Sequence, residues 1–192
     1  MLKGDKVILR AMRREDLELY NSYKNDIEIG LLASDDPPAP FELPRTVAAF
    51  DAHVASSNRL DTVWFAIEAQ SAFIGQCLLR DFDYTARTCE VGITIGERDY
   101  WGRGYGRDAM RLLCKYAFRL RNMEKVWLTV AGTNERGIRS YKACGFAEEG
   151  RLKRHIWLDG VHDDLVYMGI FREDWQAAQN QLREGSNAAN EA

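Results

Sequence analysis

The chain has 192 residues, 46% hydrophobic and 29% charged, a balance that suits one globular domain able to close a core. A formal net charge of −3 argues against a general nucleic-acid binder, and no apolar run approaches the length needed to cross a bilayer. Lys3, Asp5 and Lys6 interrupt the opening residues, so no secretory signal is expected and the cytoplasm is the expected compartment.

Val7 to Met12 reads as a first strand, and Glu15 to Lys24 as a helix with Leu17, Tyr20 and Tyr23 at helical spacing. All four prolines, Pro37, Pro38, Pro40 and Pro44, then follow Asp35-Asp36 within a short stretch, which predicts an ordered loop. Thr46 is placed to cap a further helix in which Val47, Phe50 and Val54 share a face. Val63 to Ala69 and Phe73 to Phe82 read as an antiparallel hairpin. Cys89, Val91, Ile93 and Ile95 alternate with Glu90, Gly92 and Thr94, the period of a strand with one buried face. After a glycine-rich turn, Ala109, Leu113, Tyr116 and Leu120 form the apolar stripe of a helix. Val126, Leu128 and Val130 alternate in the next strand. Strand–helix–strand demands a parallel pair with a right-handed crossover, so a ligand belongs at the carboxyl ends of those strands. Asn134 is placed to cap a short helix that Gly145 ends as a left-handed residue, with Phe146 packing back towards Tyr141. Arg151 to Leu158 and Val161 to Phe171 form a last hairpin around Asp159-Gly160. Glu173 to Leu182 reads as a closing helix, and residues 184–192 as a frayed tail.

Side-chain chemistry narrows the function. Cys77, Cys89, Cys114 and Cys144 form no C-x-x-C pair, and His53, His155 and His162 are scattered, so free thiols and no metal site are expected. The turn Tyr100-Trp101-Gly102-Arg103-Gly104-Tyr105-Gly106-Arg107 is the most informative stretch. Glycines let the backbone adopt positive φ and lie against a ligand, while amides opening a helix converge on an anion. Arg103 and Arg107 can add charge-assisted contacts, so the turn reads as a pyrophosphate cradle. A Walker A loop is excluded because no Lys-Ser or Lys-Thr follows. A dinucleotide fingerprint starting at Gly104 lacks its ribose-binding acid, since Glu124 precedes its strand and Ala131-Gly132 stand at the far end.

The segment Trp101-Gly102-Arg103-Gly104-Tyr105-Gly106 resembles the acetyl-CoA pyrophosphate loop of the GNAT N-acetyltransferases, whose pattern is Gln/Arg-x-x-Gly-x-Gly/Ala. Asn134 to Phe146 resembles the second signature of that family, Asn…Tyr-x-x-x-Gly-Phe. The similarity spans about Leu2 to Trp175 and is nearest to the ribosomal-protein and spermidine acetyltransferases. Trp101 departs from the pattern, which leaves Arg103 or Arg107 to compensate for the missing Gln or Arg.

The resemblance implies an α/β (α+β) fold: a mixed central sheet of about seven strands flanked by helices, in a single domain over residues 1–183. It implies acetyl-CoA as co-substrate, held by the backbone of Ile93, Thr94 and Ile95, by the loop from Trp101 through Gly102, Arg103, Gly104, Tyr105 and Gly106 to Arg107, and by Asn134. Tyr141 falls where the family places a tyrosine beside the thioester sulfur, and a phenol with pKa near 10 can donate to a thiolate. No covalent enzyme intermediate is needed, because coenzyme A supplies an activated acyl group. Glu90, opposite in facing to Val91, is the expected base, acting directly or through water, with Glu28, Asp35 and Asp36 as rivals and a water chain as the alternative to all four. The acceptor is a primary amine, small or peptidic; polyamine, peptide α-amine, amino sugar and antibiotic amine all fit. Family members often pair, so a homodimer is compatible. The competing reading is a catalytically idle acyl-CoA sensor on the same fold.

Overall fold

The structure, a computed structural model, describes residues 1–33, 37–56 and 62–180. Among these, eight strands form one sheet: β1 (Leu2–Lys3), β2 (Ile8–Ala11), β3 (Val63–Ala69), β4 (Ala72–Asp83), β5 (Thr88–Ile95), β6 (Lys125–Ala131), β7 (Ala147–Leu158) and β8 (Val161–Phe171). Their spatial order is β1-β2-β3-β4-β5-β6-β8-β7. The expected seven become eight because two residues of β1 add an edge against β2. All neighbouring pairs are antiparallel except β5 and β6, which are parallel. That exception is the strand–helix–strand unit, closed by α4 (Tyr105–Leu120).

The helix α4 is amphipathic, and its position follows from that. It buries Ala109, Met110, Leu113, Cys114, Ala117 and Phe118 against Leu9, Ile67, Cys77, Leu79, Cys89 and Val91 on one face of the sheet. Each large side chain fully buried there stabilises the fold by roughly 1.5–3 kcal/mol. Residues 172–180 form a further helix, α6, whose Trp175 meets Phe118 at 5.4 Å between ring centroids. All four cysteines are free; burial pushes the Cys89 thiol up to about 12.

The opposite face carries α1 (Leu17–Lys24) and α3 (Leu43–Ala55). Their Tyr20, Phe50 and His53 rings surround Trp64 of β3 at centroid distances of 5.4, 6.4 and 5.8 Å. A buried ion pair sits at the entry to this layer. Arg10 donates to both Asp16 oxygens, at 2.7 and 2.9 Å, and Arg13 N–H adds a third bond at 2.8 Å. Burial alone would raise the Asp16 carboxyl, but these donors outweigh it and hold it below the usual range.

Two elements differ from expectation on this side. The segment after α1 forms α2 (Ile27–Ala33), a short helix started by Asp26, whose Oδ1 accepts from Ile29 N–H at 3.1 Å. The next helix begins at Leu43, not at Thr46, because Pro44 fits the first turn where no intrahelical N–H is needed. Thr46 lies inside that helix, buried, and its hydroxyl donates to Asn21 Oδ1 at 2.6 Å. The last hairpin turns as expected, with Asp159 and Gly160 both at positive φ, 47° and 82°. The expected tail at 184–192 lies outside the described residues. Among the described residues no helix is long and apolar enough to cross a membrane.

Candidate active site

The strands β5 and β6 pair over only three positions: Thr88 with Lys125, Cys89 with Val126 and Glu90 with Trp127. Beyond Glu90 they part. β5 stays paired with β4 as far as Ile95, and β6 stays paired with β8 as far as Ala131. A V-shaped gap therefore opens inside a continuous sheet, and backbone groups along its β5 edge lack a strand partner. Ile95 C=O faces this edge, where it accepts from Trp101 Nε1 at 2.7 Å. In a strand, every second residue directs its N–H and C=O to the same side, so Ile93 faces the gap too. Thr94 lies between them with its backbone towards β4, where it is registered with Gln76.

The gap leads into a cleft of about 340 Å³ walled by β5, the glycine turn, α2 and α5 (Glu135–Lys142). At its floor, Gly102 and Gly104 take φ of 70° and 87°. A side chain at either position would be strained, and the space beside Gly102 is open, as contact with a ligand requires. Gly104 stands immediately before α4, so the free amides of the first turn and the positive end of the helix dipole converge there. Trp101 braces the turn: its indole is tied to β5 through Ile95, and the Arg136 guanidinium lies 4.0 Å over its ring centre. Arg107, Arg136 and Arg139 line the cleft; Arg139 is paired with Glu135 at 2.9 Å.

α5 supplies the remaining wall. Asn134 caps it, accepting Gly137 N–H at 2.9 Å, and its Nδ2 donates to Leu32 C=O at 3.2 Å. One buried amide thus joins the start of α5 to the end of α2 across the cleft. The helix ends on Gly145 (φ 99°): Phe146 N–H bonds Tyr141 C=O at 3.1 Å and Gly145 N–H bonds Lys142 C=O at 3.0 Å. This pattern is a Schellman closure. The contact between Tyr141 and Phe146, at 6.1 Å between ring centres, is its apolar lock. The lock fixes the height of Tyr141, which lines the cleft, and burial pushes its phenol up to about 12. At neutral pH the hydroxyl is therefore a proton donor.

A family model described as an acetyltransferase (GNAT) domain matches residues 6–147. The chain belongs to the GNAT acetyltransferases. It is 28% identical over 173 residues to a spermidine N(1)-acetyltransferase of Vibrio cholerae, covering 90% of this chain and 96% of that one. A putative ribosomal N-acetyltransferase of Bacillus subtilis, YdaF, is 30% identical over about half of each chain, 53% and 55%. The crystal structure of the Vibrio cholerae spermidine N-acetyltransferase in complex with CoA and spermine superposes with a TM-score of 0.81. That match has 25% identity and covers 90% of this chain and 99% of the other. The protein is an acetyl-CoA-dependent N-acetyltransferase.

Within this GNAT cleft lie Ile93, Thr94, Ile95, Trp101, Gly102, Gly104, Gly106, Arg107, Asn134 and Tyr141. Three expected residues fall elsewhere. Tyr105 packs under the turn against Tyr100, 4.8 Å between centroids, and Arg103 lines a neighbouring recess. Glu90 sits in the closed half of β5, 6% exposed, accepting two bonds of 2.8 Å from Arg80 across the β4–β5 ladder. Register explains this: Arg80 stands directly opposite Glu90, so its guanidinium takes the carboxylate that the strand pattern leaves unassigned. Of the rival carboxylates, Glu28 pairs with Arg98 at 2.9 Å on the surface, and Asp35 and Asp36 lie outside the described residues. Sequence reasoning missed Arg136 and the α2 residues Ile29 and Leu32. Arg136 carried a signal, being two residues after the capping Asn134 and thus at the cleft-facing start of α5.

Proposed function

We propose that this GNAT enzyme acetylates a polyamine by direct attack within a ternary complex, with Tyr141 as the acid and Ile93 and Ile95 amides as the donors to the thioester carbonyl. The observation that carries the reading is the gap between β5 and β6 directly above the glycine turn. A diphosphate on the turn sends its thioester arm up that gap, past Tyr141. The acceptor class rests on the spermidine N(1)-acetyltransferases that match along nearly their whole length.

The amine nitrogen attacks the carbonyl carbon and charge develops on oxygen, where fixed amides are worth roughly 10²–10³ in rate each. The C–S bond then breaks, the thiolate takes a proton from the Tyr141 hydroxyl, and the surplus proton on the new amide nitrogen returns to the Tyr141 phenolate through water. A general acid of this kind contributes about 10²–10⁴.

Freeing the amine is the costly step. An alkylamine of pKa about 10.4 costs roughly 4–5 kcal/mol to deprotonate at neutral pH. Among the described residues lining the cleft there is no carboxylate, so the proton leaves through water.

The test is CoA release across spermidine, spermine, a peptide α-amine and an amino sugar. Spermidine or spermine should give the highest kcat/KM, and a peptide α-amine ahead of both would overturn the acceptor class. CoA binding without turnover of any amine would establish the idle sensor instead.

A further inference from the structure

Beside the cleft, on the outer side of the glycine turn, is a second recess of about 230 Å³ lined by Asp5, Lys6, Arg103, Gly104, Arg107, Asp108 and Arg111. Four of these side chains are cations, and none of the four has an ion-pair partner among the described residues. Elsewhere several surface guanidinium groups are paired, as Arg98 is with Asp26 and Glu28 and Arg151 is with Glu148. Others, such as Arg45, Arg119 and Arg136, lie over aromatic rings. What distinguishes the recess is that four cations converge there. Two carboxylates share the recess. Asp108 is buried and committed, its Oδ2 accepting Lys6 N–H at 2.7 Å and Val7 N–H at 3.0 Å. Those bonds hold the Lys6 segment against the first turn of α4, where the Lys6 ammonium lies 5.4 Å over the Tyr105 ring. Asp5 is exposed. The balance favours an anion.

Which anion follows from continuity. Gly104 and Arg107 line both the cleft and the recess. A molecule whose diphosphate lies on the turn therefore has its nucleotide end beside four unpaired cations. Coenzyme A carries one further anionic group there, the 3′-phosphate of its ribose. We propose that Lys6, Arg103, Arg107 and Arg111 form a 3′-phosphate subsite by which the enzyme selects coenzyme A over carriers lacking that group. This rests on the acetyl-CoA reading. It accounts for Arg103 and Arg107, which the sequence pattern offers as compensation for Trp101: Arg107 serves both anions, and Arg103 serves the second. A phosphomonoester of nearly two negative charges gains charge-assisted bonds from guanidinium donors, weakened by salt at so exposed a site.

The experiment is calorimetric titration of wild type, Lys6→Gln and Arg111→Gln with CoA, with 3′-dephospho-CoA and with inorganic phosphate. Both substituted side chains are exposed, so folding is unaffected. Wild type should bind CoA at least tenfold more tightly than 3′-dephospho-CoA. Each variant should lose most of that preference while keeping its affinity for 3′-dephospho-CoA, and raising salt should shrink the wild-type preference. Equal affinity of wild type for the two carriers would overturn the subsite and leave the acetyl-CoA reading standing, as would equal weakening of both carriers in the variants. Tight inorganic phosphate binding with no preference between carriers would assign the recess to a free anion and also overturn it. Binding of neither carrier would remove the acetyl-CoA reading itself.

Discussion

The two halves of β5 share one strand and one alternation pattern, yet they have opposite purposes. From Thr88 to Glu90 the strand is paired on both edges; Cys89 is fully buried and Glu90 is held by Arg80. From Val91 to Ile95 it keeps β4 and loses β6. Each unpaired backbone group in the open half forgoes about 0.5–1.5 kcal/mol of net hydrogen bonding. What the closed half keeps as stability the open half leaves unpaired, and in the proposed function a ligand takes its place. A strand can be a binding surface without changing its sequence pattern, if its neighbour is steered away.

The comparison can be broken most severely at the open end. Tyr141→Phe should lower kcat by about 10²–10⁴, with acetyl-CoA affinity unchanged, because it deletes the proton and keeps the ring packed on Phe146. Steady-state kinetics beside calorimetry checks this; unchanged turnover would remove the acid. Next in size is Gly102→Ala, which places a Cβ in a left-handed residue facing the cleft. Strain of roughly 1–2 kcal/mol and a crowded anion site should raise KM for acetyl-CoA about tenfold or more. In the closed half, Glu90→Gln should weaken a charge-assisted bond and destabilise by about 1–2 kcal/mol, read as a lower Tm, with kcat untouched. A fall in kcat would restore Glu90 to the chemistry. The mildest expectation concerns pH. Because burial raises the Tyr141 phenol to about 12, the acid stays protonated through pH 10 and its loss should appear only as pH climbs towards 12. A Tyr141-dependent limb near 10 would contradict so raised a phenol.

Much of this architecture was readable because it is local. The alternation of Cys89 to Ile95, the glycines before α4, the Asn134 cap and the Gly145 terminus are each set by residues within a few positions of one another. The losses are all matters of distant neighbours. Glu90 reads as free on its own strand, and only the β4 register brings Arg80 to it. Asn134 reads as a cap, but its second bond reaches Leu32 on a seven-residue helix with too few positions to declare a period. Thr46 has the chemistry of a cap, yet Pro44 starts the helix earlier and Asn21 takes its hydroxyl. Trp101 reads as a defect in the signature. In the fold it is a brace, tied to Ile95 and carrying Arg136 to the cleft, a cation no spacing rule within the turn could supply.

The most direct measurement is residue-resolved amide hydrogen exchange along β5, with and without acetyl-CoA. Cys89 N–H should exchange slowly in both states. Ile93 and Ile95 N–H should exchange quickly in the free enzyme and become protected when the thioester arm lies in the gap. Saturating acetyl-CoA that leaves Ile93 and Ile95 as fast as before would mean the ligand binds elsewhere, and the parted strands would lose their role.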